Sequence, residues 1–331
     1  MRQRKLGTAT VSAIGLGCMN VAHAYGSPPP KEEAQQLLRD ALDLGYTHLD
    51  TAYLYGFGLS EQLIGETLAD RRDEYFLASK CGIIKNAAGQ REINNDPAKI
   101  RETCETSLQN LKTDAIDLYY LHRWDMKTPI EDAVGALADL VSEGKIKAIG
   151  LSEVSAATLK KAHAVHPIAA LQSEYSLWTR NPEIAVLDAC RELGTALVAF
   201  SPLARAFLGG VLRDVSTLAE KDLRRSMPRF APDTYAANLR LLDEYKTIAD
   251  EVGCTMAQLA LAWTLAKGDD ILPIPGTANR AHLAENAAAD AIDLDAATVA
   301  RLDALINEKT VIGPRYNAKT QTEIDTEEFA A

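Results

Sequence analysis

Short apolar runs rich in Ile, Leu, Val and Tyr alternate along this chain with longer amphipathic segments. The runs predict eight core strands, near residues 13–17, 47–50, 75–79, 116–121, 146–151, 169–172, 196–200 and 271–275. Helix signals fill the gaps between them. Asp96-Pro97 and Asn181-Pro182 each set a capping side chain before a proline at the first helical position. Thr128-Pro129-Ile130-Glu131 adds a glutamate at capping-box spacing, and Thr255 with Gln258 forms another capping box. Gly45, Gly144 and Gly194 each stop a helix just before a strand, and Gly253 ends a further one.

Strict alternation of strand and helix implies a parallel sheet with helical crossovers. Eight such units in 331 residues point to an α/β fold, a closed (β/α)8 TIM barrel. An open doubly wound sheet uses the same units. The segment 5–12, with Gly7 in its turn, reads as a β-hairpin that caps the bottom of the barrel. No linker or low-complexity tract interrupts the pattern, so a single domain over 1–331 is expected. Two long irregular stretches stand out, 203–233 after the seventh strand and a polar tail, 309–331. Long loops in a barrel belong to the C-terminal face, where the strands end and sites are built. Simple disorder is the plain alternative for the tail.

Composition narrows the function. With 47% hydrophobic and 24% charged residues, the chain is ordinary soluble material, large enough to bury a core without metals or disulfides. A net charge of -11 argues against a broadly basic surface and so against nucleic acid as a partner. A local basic pocket stays compatible with it. The cysteines, Cys18, Cys81, Cys104, Cys190 and Cys254, are odd in number and show no C-x-x-C spacing. Neither a disulfide framework nor a zinc site is expected, and a reducing compartment fits. No apolar run follows the charged start, and none is long enough for a bilayer. The expected location is the cytoplasm, with no membrane partner.

The chemistry collects at the strand ends. Asp50 ends the second strand, Lys80 follows the third and His122 the fourth. Ser152 follows the fifth, Gln172 ends the sixth and Ser201 follows the seventh. In a barrel these positions ring one mouth, and core strands have no packing reason to end in Asp, Lys or His. A buried Asp–Lys pair alone is weak evidence of anything. A lysine beside a tyrosine hydroxyl favours the phenolate, an aspartate orients the lysine, and a histidine can hold a carbonyl oxygen.

The tyrosine stands five residues after Asp50, in Asp50-Thr51-Ala52-Tyr53-Leu54-Tyr55-Gly56. This run resembles the hallmark of the aldo-keto reductase family, Asp-Thr-Ala-x-x-Tyr-Gly. Gly150-Leu151-Ser152, Gln172 to Tyr175, Phe200-Ser201-Pro202-Leu203 and Pro273-Ile274-Pro275-Gly276-Thr277 extend the resemblance over nearly the whole chain. The last of these looks most like the bacterial and plant branch. The resemblance implies a barrel that reduces a small-molecule carbonyl with NADPH, NADH being the poorer donor. It implies Tyr55 as proton donor, with Asp50, Lys80 and His122 as partners. It puts Ser152 and Gln172 on the nicotinamide carboxamide and Phe200 under the ring. Ser201, Leu203 and Arg205 fall on the pyrophosphate. Gly276, Thr277, Asn279 and Arg280 surround the 2′-phosphate, with Glu285 and Asn286 at the adenine. It also implies a monomer or weak homo-oligomer.

The chain departs from the family pattern in three places. Glu153 stands where many relatives have Asn, Ala204 and Ala206 replace common glycines, and Ala278-Asn279-Arg280 replaces a Lys-Arg pair. Met19, His23, Tyr25, Trp124 and Trp178 are candidates for the substrate pocket. Tyr53 reads as pocket lining or local packing, and His48, His163 and His166 as structural or surface residues. Arg224, Arg225 and Arg229 read as a solvated face, with an anion grip as the alternative. Two rival functions use the same residues: a cofactor-binding regulatory subunit with little turnover, and an aldolase with Lys80 as Schiff-base nucleophile. No Rossmann glycine fingerprint or P-loop is present.

Overall fold

The computed structural model describes residues 1–22 and 25–330. Its centre is an eight-stranded parallel sheet. In chain order the barrel strands are β3 (Leu16–Gly17), β4 (His48–Asp50), β5 (Phe76–Cys81), β8 (Leu118–Leu121), β9 (Ile149–Ser152), β10 (Ile168–Glu174), β11 (Ala196–Phe200) and β12 (Ile271–Pro273). Each pairs with its chain neighbour. The first and last then meet. Gly15 N–H donates to Pro273 O at 3.0 Å, Gly17 N–H donates to Pro275 O at 3.2 Å, and Gly17 bridges Gly276 in parallel. These bonds close the barrel and exclude the open doubly wound sheet.

Strand side chains alternate between two faces. Outward residues such as Leu49, Leu77, Tyr119, Ile149, Leu171 and Leu197 pack under the helices. Inward residues make a second, smaller core of Ala78, Leu118, Tyr120, Ala170, Val198 and Leu272. Leu6 and Val11 join that core from β1 (Gln3–Leu6) and β2 (Ala9–Ser12), an antiparallel hairpin. The hairpin therefore plugs the barrel floor as the sequence implies. Gly150 is part of this interior, because a Cβ there would lie 2.3 Å from the Tyr120 ring.

His48 shares the inward face of β4, two residues below Asp50. It is wholly buried, and neither ring nitrogen finds a partner among the described residues. Burial pushes its imidazole down to about 4, from an ordinary 6.5. The unfolded chain therefore binds a proton between these values that the folded chain refuses, and stability rises with pH across that window. The shift corresponds to about 3 kcal/mol. Urea unfolding of the wild type and His48→Leu at pH 7 and pH 4.5 checks this: the variant should lose less stability on acidification.

Helix ends follow the sequence in part. Asp96 caps α3 (Pro97–Leu111) by accepting from Ala98 N–H at 2.8 Å. The Thr255–Gln258 box caps α9 (Met256–Ala266). The other two signals fail because a competing partner takes the side chain. Thr128 donates to Asp125 at 3.0 Å, leaving α4 (Ile130–Ser142) without a side-chain cap. Asn181 donates to Glu327 O at 2.9 Å, and Asn181-Pro182 opens a single 3-10 turn ahead of α6 (Val186–Leu193). A hairpin that the sequence reading missed, β6 (Ile83–Lys85) with β7 (Arg91–Ile93), rises beyond β5. Its signal is Gly89, left-handed at φ 74°, in a polar turn between Ile83-Ile84 and Ile93.

Residues 203–233 fold into successive 3-10 turns before α7 (Pro232–Leu239). The tail is no solvated strand either. Asp325 pairs with Val154 and accepts from Thr158 Oγ1 at 2.6 Å. Both segments pack over the C-terminal face. Among the described residues no helix is long and apolar enough to cross a membrane.

Candidate active site

The inward parity of the strands decides which side chains meet at the mouth. Asp50, Lys80, His122, Ser152, Gln172 and Phe200 all continue the interior rows one layer above the apolar fill. Lys80 has a fully buried side chain and pairs with Asp50 Oδ1. It also donates to Thr51 O at 2.7 Å and to the Tyr55 hydroxyl at 3.4 Å. Asp50 accepts a second bond, 2.7 Å, from Gln172 Nε2. Tyr55 reaches this group from the turn after β4. Its N–H donates to Ala52 O at 3.0 Å, and Gly56 turns the chain at φ 66°. A Cβ on Gly56 would lie 2.7 Å from that of Leu59, which explains glycine after the tyrosine. The Tyr55 and His122 rings meet edge to face, with centroids 5.9 Å apart.

Burial is the largest single influence on each of the three titrating groups and sets the net direction for two of them. It works against the Lys80 charge, yet Asp50 and Tyr55 outweigh it and hold the ammonium above its ordinary range. Burial raises the Tyr55 hydroxyl, and Lys80 pulls it down without cancelling the rise. The lysine acts in the direction the sequence implies, and burial, which the sequence reading did not weigh, outweighs it. Burial, then the nearby Lys80 and Arg123, push His122 well down. Its ring is neutral at physiological pH, with Nδ1 unpartnered among the described residues.

Asp50, Tyr55 and His122 line a cavity of about 1060 Å³, with Lys80 buried behind them. Ser152, Gln172 and Phe200 line it as well. Ser201, Leu203, Arg205, Gly276, Thr277, Asn279, Glu285 and Asn286 complete this part of the lining. Met19 and Tyr25 also line it. Glycine at 276 is required by close packing of the first and last strands, because a Cβ there would fall 2.6 Å from Asn20 Oδ1 and 2.9 Å from Gly17 O.

Several expected residues are elsewhere. Arg280 does not line the cavity; it is largely exposed and pairs with Asp40. Trp178 is core: it stacks on Phe207 at 4.1 Å and meets Phe230 edge-on. Trp124 packs on the outer core and donates to Thr128 O at 2.8 Å. Tyr53 sits edge-on against Phe57. His23 lies outside the described residues. Of the three loop arginines only Arg225 is exposed, as a solvated face requires; Arg224 and Arg229 are half-buried. Arg224 pairs with Asp222 at 2.7 Å and lines the cavity, Arg225 bonds Leu218 O and Ala219 O, and Arg229 bonds Trp178 O and Gly313 O.

The sequence reading missed a buried ion network beside the mouth. Glu153 turns away from the cavity and accepts from Glu174 N–H at 2.8 Å and Arg315 Nη2 at 2.6 Å. Glu174 accepts from Arg315 at 3.1 Å and from Arg205 at 2.7 Å. Burial alone would raise the Glu174 carboxyl, but Arg205, Arg315 and Arg229 hold it down at about 2. Tyr316 lies in the same network, with its hydroxyl 3.2 Å from Arg205 Nη2. Arg91 and Arg123 also line the cavity and were missed.

Alanines at the glycine positions of this loop carry a visible cost. Ala204, Arg205 and Ala206 are consecutively left-handed, at φ 50°, 55° and 75°. A β-carbon there costs about 1 kcal/mol or more. Ala206 is exposed, so Ala206→Gly removes strain with little packing. After the entropy of glycine in the unfolded chain, a stabilisation of about 0.5 kcal/mol is expected in urea titration.

The model of the Aldo/keto reductase family matches residues 13–307. An aldo-keto reductase of Schizosaccharomyces pombe, yakc, whose name carries NADP(+), is 45% identical over 320 residues, 95% of this chain and 94% of that one. The solved glycerol dehydrogenase from Gluconobacter oxydans superposes with a TM-score of 0.84 at 26% identity, over 96% of this chain and 99% of that chain. An aldo/keto reductase from Klebsiella pneumoniae in complex with NADP and acetate gives 0.72 at 29% identity, over 98% and 99%. The family match spans every strand end that carries Asp50, Tyr55, Lys80 and His122, and the chain belongs to the aldo/keto reductase family.

Proposed function

We propose that this chain reduces the carbonyl of a small aldehyde or ketone with NADPH, and that Tyr55 is the proton donor. The observation that carries the reading is the Tyr55 hydroxyl, 3.4 Å from Lys80 Nζ, beside a neutral His122 at the head of the cavity. When bound, the reduced nicotinamide supplies a hydride to the carbonyl carbon. The proton for the oxygen comes from Tyr55. Its raised hydroxyl stays protonated until the reaction, and the Lys80 ammonium stabilises the phenolate that is left. Asp50 keeps that ammonium charged and aimed. The neutral His122 ring can donate one hydrogen bond to the oxygen.

NADP enters through the relatives, in the name of the fission-yeast reductase and in the Klebsiella complex. The residues here fit a dinucleotide: the N-terminus of α10 (Arg280–Ala288) lies beside Thr277, Asn279 and His282 in the cavity wall. With Arg280 held by Asp40, selection of the 2′-phosphate rests on that helix end and its neighbours. Lys80 as a Schiff-base nucleophile is disfavoured, since its amine stays protonated.

The test is titration of the protein with NADPH and NADH, followed by absorbance of the reduced nicotinamide with 4-nitrobenzaldehyde. Steady turnover, better with NADPH, is the expected result. Tight binding with no turnover on any carbonyl would turn the reading to a cofactor-binding regulatory subunit.

A further inference from the structure

Four arginines line the cavity: Arg91, Arg123, Arg205 and Arg224. Three are matched by carboxylates. Arg91 pairs with Glu323 at 2.8 Å, Arg205 with Glu174 and Arg224 with Asp222 at 2.7 Å each. Arg123 has no carboxylate within salt-bridge distance among the described residues. It is half-buried, and it directly follows His122. Its Nη1 donates to His122 O at 2.7 Å and to Ser152 Oγ at 3.1 Å. These two bonds anchor one nitrogen between β8 and β9. Nε and Nη2 make no hydrogen bond among the described residues.

A half-buried guanidinium without a counter-ion is costly, and binding an anion recovers that cost. Its planar fork matches the two oxygens of a carboxylate or the face of a phosphate. On the reductase reading above, we infer that Arg123 is an anion subsite and that the preferred substrates are carbonyl compounds bearing a carboxylate or phosphate near the carbonyl. The strand end that presents His122 to the carbonyl oxygen presents Arg123 one residue on. Both cationic and catalytic groups therefore sit on one rigid element. The field of Arg123 also bears on the Tyr55 hydroxyl, favouring its phenolate.

The test uses purified protein with NADPH and matched aldehydes: the ring isomers of carboxybenzaldehyde against the corresponding formylbenzamides. In the wild type, kcat/KM for the best carboxylate should exceed that of its amide by about tenfold, as one charge-assisted hydrogen-bonded pair supplies. Arg123→Gln should bring that ratio to about one, chiefly through KM of the carboxylate, and Arg123→Lys should restore part of it. Inorganic phosphate should compete with carboxylates in the wild type and not in Arg123→Gln.

Wild-type turnover of the amides with no preference for any carboxylate would overturn the subsite and leave the reductase intact. A preference that persists in Arg123→Gln overturns it too. A change confined to NADPH affinity would put Arg123 on the cofactor and likewise overturn it. No turnover of either aldehyde class would sink the reductase reading itself.

Discussion

Tyr55→Phe is expected to lower kcat for carbonyl reduction by about a thousandfold, the scale of a lost general acid, while NADPH binding survives. The substitution removes one oxygen. The ring keeps its edge-to-face place on His122. Lys80 keeps Asp50 and Thr51 O as partners, so no buried charge is stranded and the fold should hold. The rest of the cavity lining, such as Ser201, Thr277 and Asn286, is untouched. The effect should therefore appear in kcat and kcat/KM together, as for an interaction made in the transition state. Stopped-flow turnover and a fluorescence titration of NADPH separate the two quantities. Near-wild-type turnover would remove Tyr55 from the proton-donor role. Equal loss of cofactor binding would mean that the ring, not the hydroxyl, is what matters.

That Asp50, Tyr55, Lys80 and His122 meet at one mouth was legible because two independent regularities coincide. Strand parity fixes which residues face inward, and polar residues recur at the inward strand ends. Asp50, Lys80 and His122 follow from that, and the resemblance to the family motif selects Tyr55 over Tyr53. Trp178 shows where such reading stops. An aromatic residue just past a strand looks alike whether it lines a pocket or is roofed by a loop. The fold of 203–233 decides, by setting Phe207 and Phe230 against it. Arg280 stands off the cavity wall for a related reason: Asp40, on α1 (Lys31–Asp43), pairs with its charge. The ion network was beyond local inference, because Arg315 meets partners 141 and 162 positions away. Glu153 carried a faint trace of it. It sits left-handed at φ 57°, where Asn is the easier residue, so a carboxylate there needs a reason.

That reason makes Arg315 the second large effect. Arg315→Leu should destabilise the protein by about 3–5 kcal/mol, the usual cost of removing one member of a buried ion pair. The two carboxylates do not suffer equally. Glu174 retains Arg205 at 2.7 Å. Glu153, with a fully buried side chain, retains among the described residues only the Glu174 N–H. The stranded charge is thus Glu153, and removing it should repair most of the damage. Glu153→Gln combined with Arg315→Leu should recover about 1–3 kcal/mol relative to the single variant. Denaturant midpoints of the four proteins complete the cycle. The tail should loosen as well, because Tyr316, Thr320 and Glu323 line the cavity from beyond Arg315. Faster tail proteolysis and a raised KM are expected in Arg315→Leu. If the single variant stays within about 1 kcal/mol of wild type, water has reached Glu153 and the network is not closed. If the double variant recovers nothing, the cost lies in lost packing of the Arg315 side chain against Tyr316 and Phe200. Loss with recovery would show that the tail is held over the mouth by charge pairing with the strand ends that also carry the site.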